Sequence, residues 1–119
     1  MEQEQPQGPE SALTSTEKAL YEILSLSMDK GLSLSIDYEG LNRDIEVHAI
    51  GISRAGNPCF RVWQTDGGSV SGEVPGWKMM LFARVSDYSL YSDPVIPYGA
   101  PRPGYKQGDK GMSQIFKEL

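Results

Sequence analysis

Several things are scarce in this chain, and each scarcity excludes something. Cysteine occurs once, at Cys59, and histidine once, at His48. A single thiol closes no intramolecular disulfide, and a cysteine-rich zinc centre has no ligands to draw on. Apolar runs reach only about five residues, against the ~20 that cross a bilayer. The acidic start Met1-Glu2-Gln3-Glu4-Gln5 does not resemble a signal peptide, so the expectation is a cytoplasmic chain with no membrane partner. Base is not in excess either: 11 Lys and Arg stand against 16 Asp and Glu, a net charge of −5. That balance excludes a protein that coats nucleic acid with its whole surface.

Nucleotide and hydrolase fingerprints are also missing. Gly67-Gly68-Ser69-Val70-Ser71-Gly72 lacks the lysine and the helix that complete a phosphate loop, and its serines do not have the spacing of a hydrolase elbow. There is no internal repeat.

The chain does have 119 residues, 13 glycines and 8 prolines. That length is one ordinary domain, and the punctuation suits short strands and tight turns rather than a helical bundle. Charge is unevenly spread. Residues 1–39 hold eight acids and two bases, whereas residues 40–119 hold eight acids and nine bases. A focused basic site on the second part remains open, because binding follows the local field.

Residues 1–12 are polar with Pro6 and Pro9, and residues 1–13 read as a disordered lead-in. Thr14, Ser15 or Thr16 then offers a helix N-cap. Leu20, Ile23, Leu24, Ser27 and Met28 fall on one helical face, and Gly31 supplies the stop. The spacing predicts one helix over about 15–30. From Leu32 to Glu39 apolar and polar residues alternate strictly, as in a half-buried strand. A turn at Glu39-Gly40-Leu41-Asn42 leads to a second strand with Ile45, Val47 and Ala49 on one face. Its parity slips at Ile50 and Ile52 around Gly51, which predicts a bulge or bend there. Cys59–Thr65 reads as a third strand, Asp66–Gly76 as a long loop, Trp77–Val85 as a fourth strand and Asp87–Tyr91 as a short fifth. From Asp93 onward Pro94, Pro97, Pro101 and Pro103 stop regular structure, and Met112–Leu119 is expected as one or two helical turns. The fold class predicted is mainly β: an N-terminal helix, then a small five-stranded antiparallel barrel over 14–92, with an irregular tail over 93–119.

His48 is the one side chain suited to general base chemistry near neutrality, and Ser69 or Ser71 would be its nucleophile in an enzyme reading. The alternative is a hydrogen-bonded histidine at the rim of the sheet. Arg61, Trp63 and Thr65 share one face of the third strand, with Phe60, Val62 and Gln64 on the other. An arginine beside a tryptophan binds a phosphate, a carboxylate or a base by charge-assisted bonding and stacking. The plainer reading makes Trp63 and Trp77 packing residues and the charges a solvated face. Cys59, in an apolar run, reads as a buried packing residue. The Pro101–Met112 tail reads as a clamp over the barrel, as an arm that binds a partner, or as a solvated linker.

Together these residues resemble the WYL-domain family. The resemblance rests on Ile36-Asp37-Tyr38-Glu39-Gly40, on Arg43-Asp44-Ile45-Glu46-Val47-His48-Ala49-Ile50-Gly51, on Phe60-Arg61-Val62-Trp63-Gln64 and on the strand Trp77–Val85. It covers about residues 17–92. Val47 stands where the family has proline, Trp63-Gln64-Thr65 stands where it has Trp-Tyr-Leu, and no helix-turn-helix precedes the barrel. The resemblance implies an Sm-like barrel behind a helix and a non-enzymatic regulatory module that senses a ligand or binds nucleic acid. It implies a binding face of Arg43, His48, Arg61, Trp63 and Arg84, taking a nucleotide or single-stranded nucleic acid, with no metal and no cofactor. The second reading is an accessory factor that acts by docking a protein partner or by forming a homo-oligomer, without a small ligand.

Overall fold

The protein is described by a computed structural model over residues 12–70, 72–94 and 101–119. Helix α1 (Ser15–Lys30) begins where its chemistry dictates. Thr14 is the N-cap: its hydroxyl accepts from the Glu17 N–H at 3.2 Å, and the Glu17 carboxylate accepts from the Thr14 N–H at 2.9 Å. This reciprocal capping box satisfies two N–H groups that the first turn leaves unpaired. Gly31 ends the helix in the left-handed conformation at φ +66°. Leu20, Leu24, Ser27 and Met28 form the buried face.

The strands are β1 (Leu32–Tyr38), β2 (Leu41–Ser53), β3 (Pro58–Gly67), β4 (Gly76–Leu81), β5 (Val85–Pro94) and β6 (Met112–Glu118). All neighbours are antiparallel, in the order β4-β3-β2-β1-β5, and β6 also pairs with β2. A mainly β fold behind an N-terminal helix is therefore correct, with three corrections. Among the described residues the sheet has six strands and is open, since β4 and β5 end it without pairing to each other. The fourth strand is cut short by a 3-10 turn at Phe82–Arg84, which starts β5 early, at Val85. The segment expected as helical turns is strand β6.

Long strand β2 explains how β6 fits. Its residues Leu41–Ile45 pair with β1 and its residues Ala49–Ser53 pair with β6, so two partners share one edge. Gly51 makes the second pairing possible. A Cβ there would lie 2.1 Å from the Gln114 carbonyl oxygen and 2.9 Å from Met112 Sδ. The parity slip is real but divided: β2 shifts register against β3 between Val47 and Ala49, and against β6 between Ile50 and Gly51.

Phe60, Val62, Ile45, Val47, Leu34 and Leu24 meet in the main core, each at most 1% exposed. Phe82 packs edge-on to Phe60 at 5.6 Å between ring centroids. Leu13 also joins this core, so the expected lead-in ends before it; residues 1–11 lie outside the described residues. The ends of the sheet approach one another. The Tyr38 hydroxyl on β1 accepts from the Leu81 N–H at 2.8 Å, and the Glu39 N–H donates to the Arg84 carbonyl at 3.2 Å. No described helix is long and apolar enough to cross a membrane.

Candidate functional site

The five residues expected on one binding face are divided between two places. His48, Arg61 and Trp63 lie on the outer side of β2 and β3, and residues 101–111 run across that side as a strap. Arg43 and Arg84 line a separate cleft, which Trp77, packed against His48, also lines.

The strap is fastened by charge. Arg102 donates through Nε and Nη2 to both oxygens of Glu46, each at 2.6 Å, and the Glu46 side chain is only 2% exposed. Arg61 makes the same kind of fork on Asp109, at 2.7 and 3.0 Å. This bond holds the Asp109 carboxyl below its usual range despite burial, and holds Arg61 more firmly protonated. Asp109 Oδ1 also accepts from the Gly111 N–H at 2.8 Å, which shapes the turn into β6.

Under the strap His48 is fully buried. Its Nε2 accepts from the Arg102 backbone N–H at 3.0 Å, which places the ring proton on Nδ1, 3.0 Å from the Glu46 carbonyl oxygen. Burial, joined by the charge of Arg102, pushes its pKa down, so the ring is neutral at pH 7. Trp77 lies edge-on at 4.7 Å and Tyr105 at 5.1 Å between ring centroids. Burial raises the Tyr105 phenol to about 12. Trp63 and Trp77 form a cross-strand pair at 5.2 Å. These aromatics pack under and beside the strap. Cys59 packs too, fully buried, its thiol pushed up to about 11 by burial.

As for the enzyme reading, both ring nitrogens of His48 are engaged within the fold. The Ser69 hydroxyl accepts from Lys78 Nζ at 3.0 Å, and Ser71 lies outside the described residues. Among the described residues no group of three or more His, Cys, Asp or Glu side chains is arranged to hold a metal ion.

The cleft has a different character. Its volume is about 410 Å³, and it opens between the β1–β2 turn, the loop after β3, strand β4 and the 3-10 turn. Arg43, Lys78 and Arg84 supply its cations and Glu39 and Glu73 its acids, while Trp77, Met79 and Val70 give it apolar wall. The Glu39 carboxylate contacts both arginines, Arg43 Nη2 at 3.5 Å and Arg84 Nη1 more closely. Glu39 and Gly40 both have positive φ, +53° and +78°, as a two-residue hairpin turn with the twist of its strands requires. The loop on the other side is tethered by Gln64, a fully buried amide that donates to the Asp66 and Gly68 carbonyls at 3.1 and 2.9 Å.

Sequence reasoning did not single out Arg102, Asp109, Glu39 or Gln64. The first two are paired with charges 56 and 48 residues away, a distance at which local pattern carries no signal. Glu39 was visible as a strand-end and turn residue, not as a partner of Arg43 and Arg84.

No family model, no curated protein and no solved structure matches this chain. The WYL resemblance therefore stands on the residues quoted for it.

Proposed function

We propose that this chain is a WYL-like, non-enzymatic regulatory module of the cytoplasm that binds an anionic ligand, a nucleotide or a single-stranded nucleic acid, in the cleft between Tyr38, Lys78 and Arg84. The observation that supports it is the composition of the cleft wall: three cations against two acids, with Trp77 beside them. Cations fix phosphate oxygens and an aromatic or apolar wall accepts a base, which is the division of labour in sequence-tolerant nucleic-acid sites. Of the residues expected to bind, this reading keeps Arg43 and Arg84 and gives His48, Arg61 and Trp63 the task of seating the strap.

Thermal unfolding of the full chain with nucleotides and short single-stranded oligonucleotides tests this. A ligand that binds the folded state raises the midpoint with concentration, and added salt reduces the rise. No shift with any of them at millimolar concentration would contradict it.

One observation favours a second reading, the self-assembling factor. Strands β4 and β5 each leave an edge unpaired among the described residues, and such edges template pairing with another chain. Light scattering over a concentration series separates the two readings: a constant monomer mass removes the second.

A further inference from the structure

We infer that the cleft recognises a phosphate monoester, and that its dianion docks between Arg43 and Arg84 in the place now held by the Glu39 carboxylate. This rests on the cleft being a nucleotide site and adds what the site reads.

Arg43 is the buried cation of the cleft. It stands on β2 in parity with Ile45 and Val47, so its stem enters the core, and the residue is only 3% exposed. Its partners are poor for a guanidinium so far from water. The Tyr38 carbonyl lies at 3.4 Å, the Glu39 carboxylate at 3.5 Å, and the Tyr38 ring at 4.9 Å from the guanidinium carbon. The Nε atom is buried with no hydrogen-bond partner. Elsewhere in this protein arginines take carboxylates bidentately, at 2.6 to 3.0 Å. A buried charge so loosely compensated is stabilised by any anion that fits better.

Arg84 reaches the same carboxylate from the other side, and its own side chain is 54% exposed. One monoanion thus serves two guanidiniums, with Lys78 on the same cleft. A carboxylate bridging two guanidiniums occupies the place a phosphate group takes between paired arginines. A phosphate monoester carries close to two negative charges near pH 7 and offers three acceptor oxygens. It balances both arginines, where Glu39 balances one. Glu39 can yield because it sits on the exposed two-residue turn, its side chain 29% accessible, and side-chain rotation alone moves its carboxylate into water. Trp77, Met79 and Val70 then flank the remainder of the ligand.

The same chemistry is presented by a free mononucleotide and by the 5′-phosphorylated end of a strand. The test is a calorimetric titration of the full chain at low salt with adenosine 5′-monophosphate, adenosine, inorganic phosphate, and one oligonucleotide with and without its 5′-phosphate. The monophosphate, the phosphorylated strand, or both are expected to bind about tenfold or more tightly than the unphosphorylated counterpart, the size of one or two charge-assisted bonds. Glu39→Gln removes the internal competitor and tightens binding several-fold. Arg84→Gln, at an exposed position that does not threaten folding, weakens it about tenfold. Equal binding with and without phosphate, or weaker binding by Glu39→Gln, overturns the inference. If the strand binds regardless of its 5′-phosphate, and Lys78→Gln but not Glu39→Gln alters its affinity, the phosphate pocket is wrong while the cleft reading stands. Absence of binding by every probe overturns both.

Discussion

Arg102 closes on Glu46 with two bonds of 2.6 Å across 56 residues of sequence, and the carboxylate it covers is all but inaccessible to water. Glu46 is tolerable on the outer side of β2 only because the strap brings a guanidinium to it. Arg102→Ala leaves a buried carboxylate without its counter-charge and is expected to cost about 2 kcal/mol or more, less than for a wholly buried pair because Arg102 is partly exposed. Adding Glu46→Gln to that variant should recover part of the loss. Urea unfolding of the two single variants and the double variant measures the coupling, and additive effects would show the pair to be unimportant.

His48 gives a pH dependence whose sign follows from its burial. Its folded pKa is depressed, so the native ring stays neutral while the unfolded chain takes up a proton below about pH 6.5. The unfolded state then binds more protons, and stability, full above that pH, falls as the pH drops below it. The unfolding midpoint should therefore decline as the pH falls below about 6.5. In His48→Asn, whose side-chain oxygen still accepts a bond, that decline should flatten.

Gly51 is required by the approach of β6 rather than by its own backbone torsions. In Gly51→Ala the new methyl would lie 2.1 Å from the Gln114 carbonyl oxygen, so β6 must move. The expected cost is about 2–4 kcal/mol, toward the upper end for overpacking because backbone must shift. Amide hydrogen exchange should accelerate over Met112–Glu118, with β1 protected as before.

Thr14→Ala removes half of the capping box of α1 and should destabilise by about 1 kcal/mol. Glu17→Ala removes the other half, the carboxylate that accepts from the residue-14 N–H, and should add a further loss. A double-mutant cycle by thermal unfolding reads this directly.

These particulars show where the sequence spoke and where it did not. The helix was legible because its caps and its 3.6-residue period lie within one short segment. Strand β1 was legible through strict alternation. The core side of β3, with Phe60, Val62 and Gln64 all fully buried, followed from alternation too. Strand β6 was not legible: in Met112-Ser113-Gln114-Ile115-Phe116-Lys117-Glu118 the apolar residues fall together, and its partner on β2 is some sixty residues earlier. The strap was legible only as one alternative, a clamp over the barrel, and its fastenings were hidden for the same reason. Its clamps are pairs of opposite charges that look solvated until the chain folds, and they turn His48 and Arg61 from an open face into a covered one. Arg43 had a signal that was available, its parity with Ile45 and Val47, which placed it at the end of the core.

The most direct test of the account is backbone amide shift mapping of the full chain by NMR, titrated with adenosine 5′-monophosphate. The account predicts saturable changes at Gly40, Ser69, Lys78 and Arg84, around the cleft, with the strap residues Arg102 and Asp109 unmoved. Changes centred on the strap and on His48 and Arg61, or none at all, would contradict it.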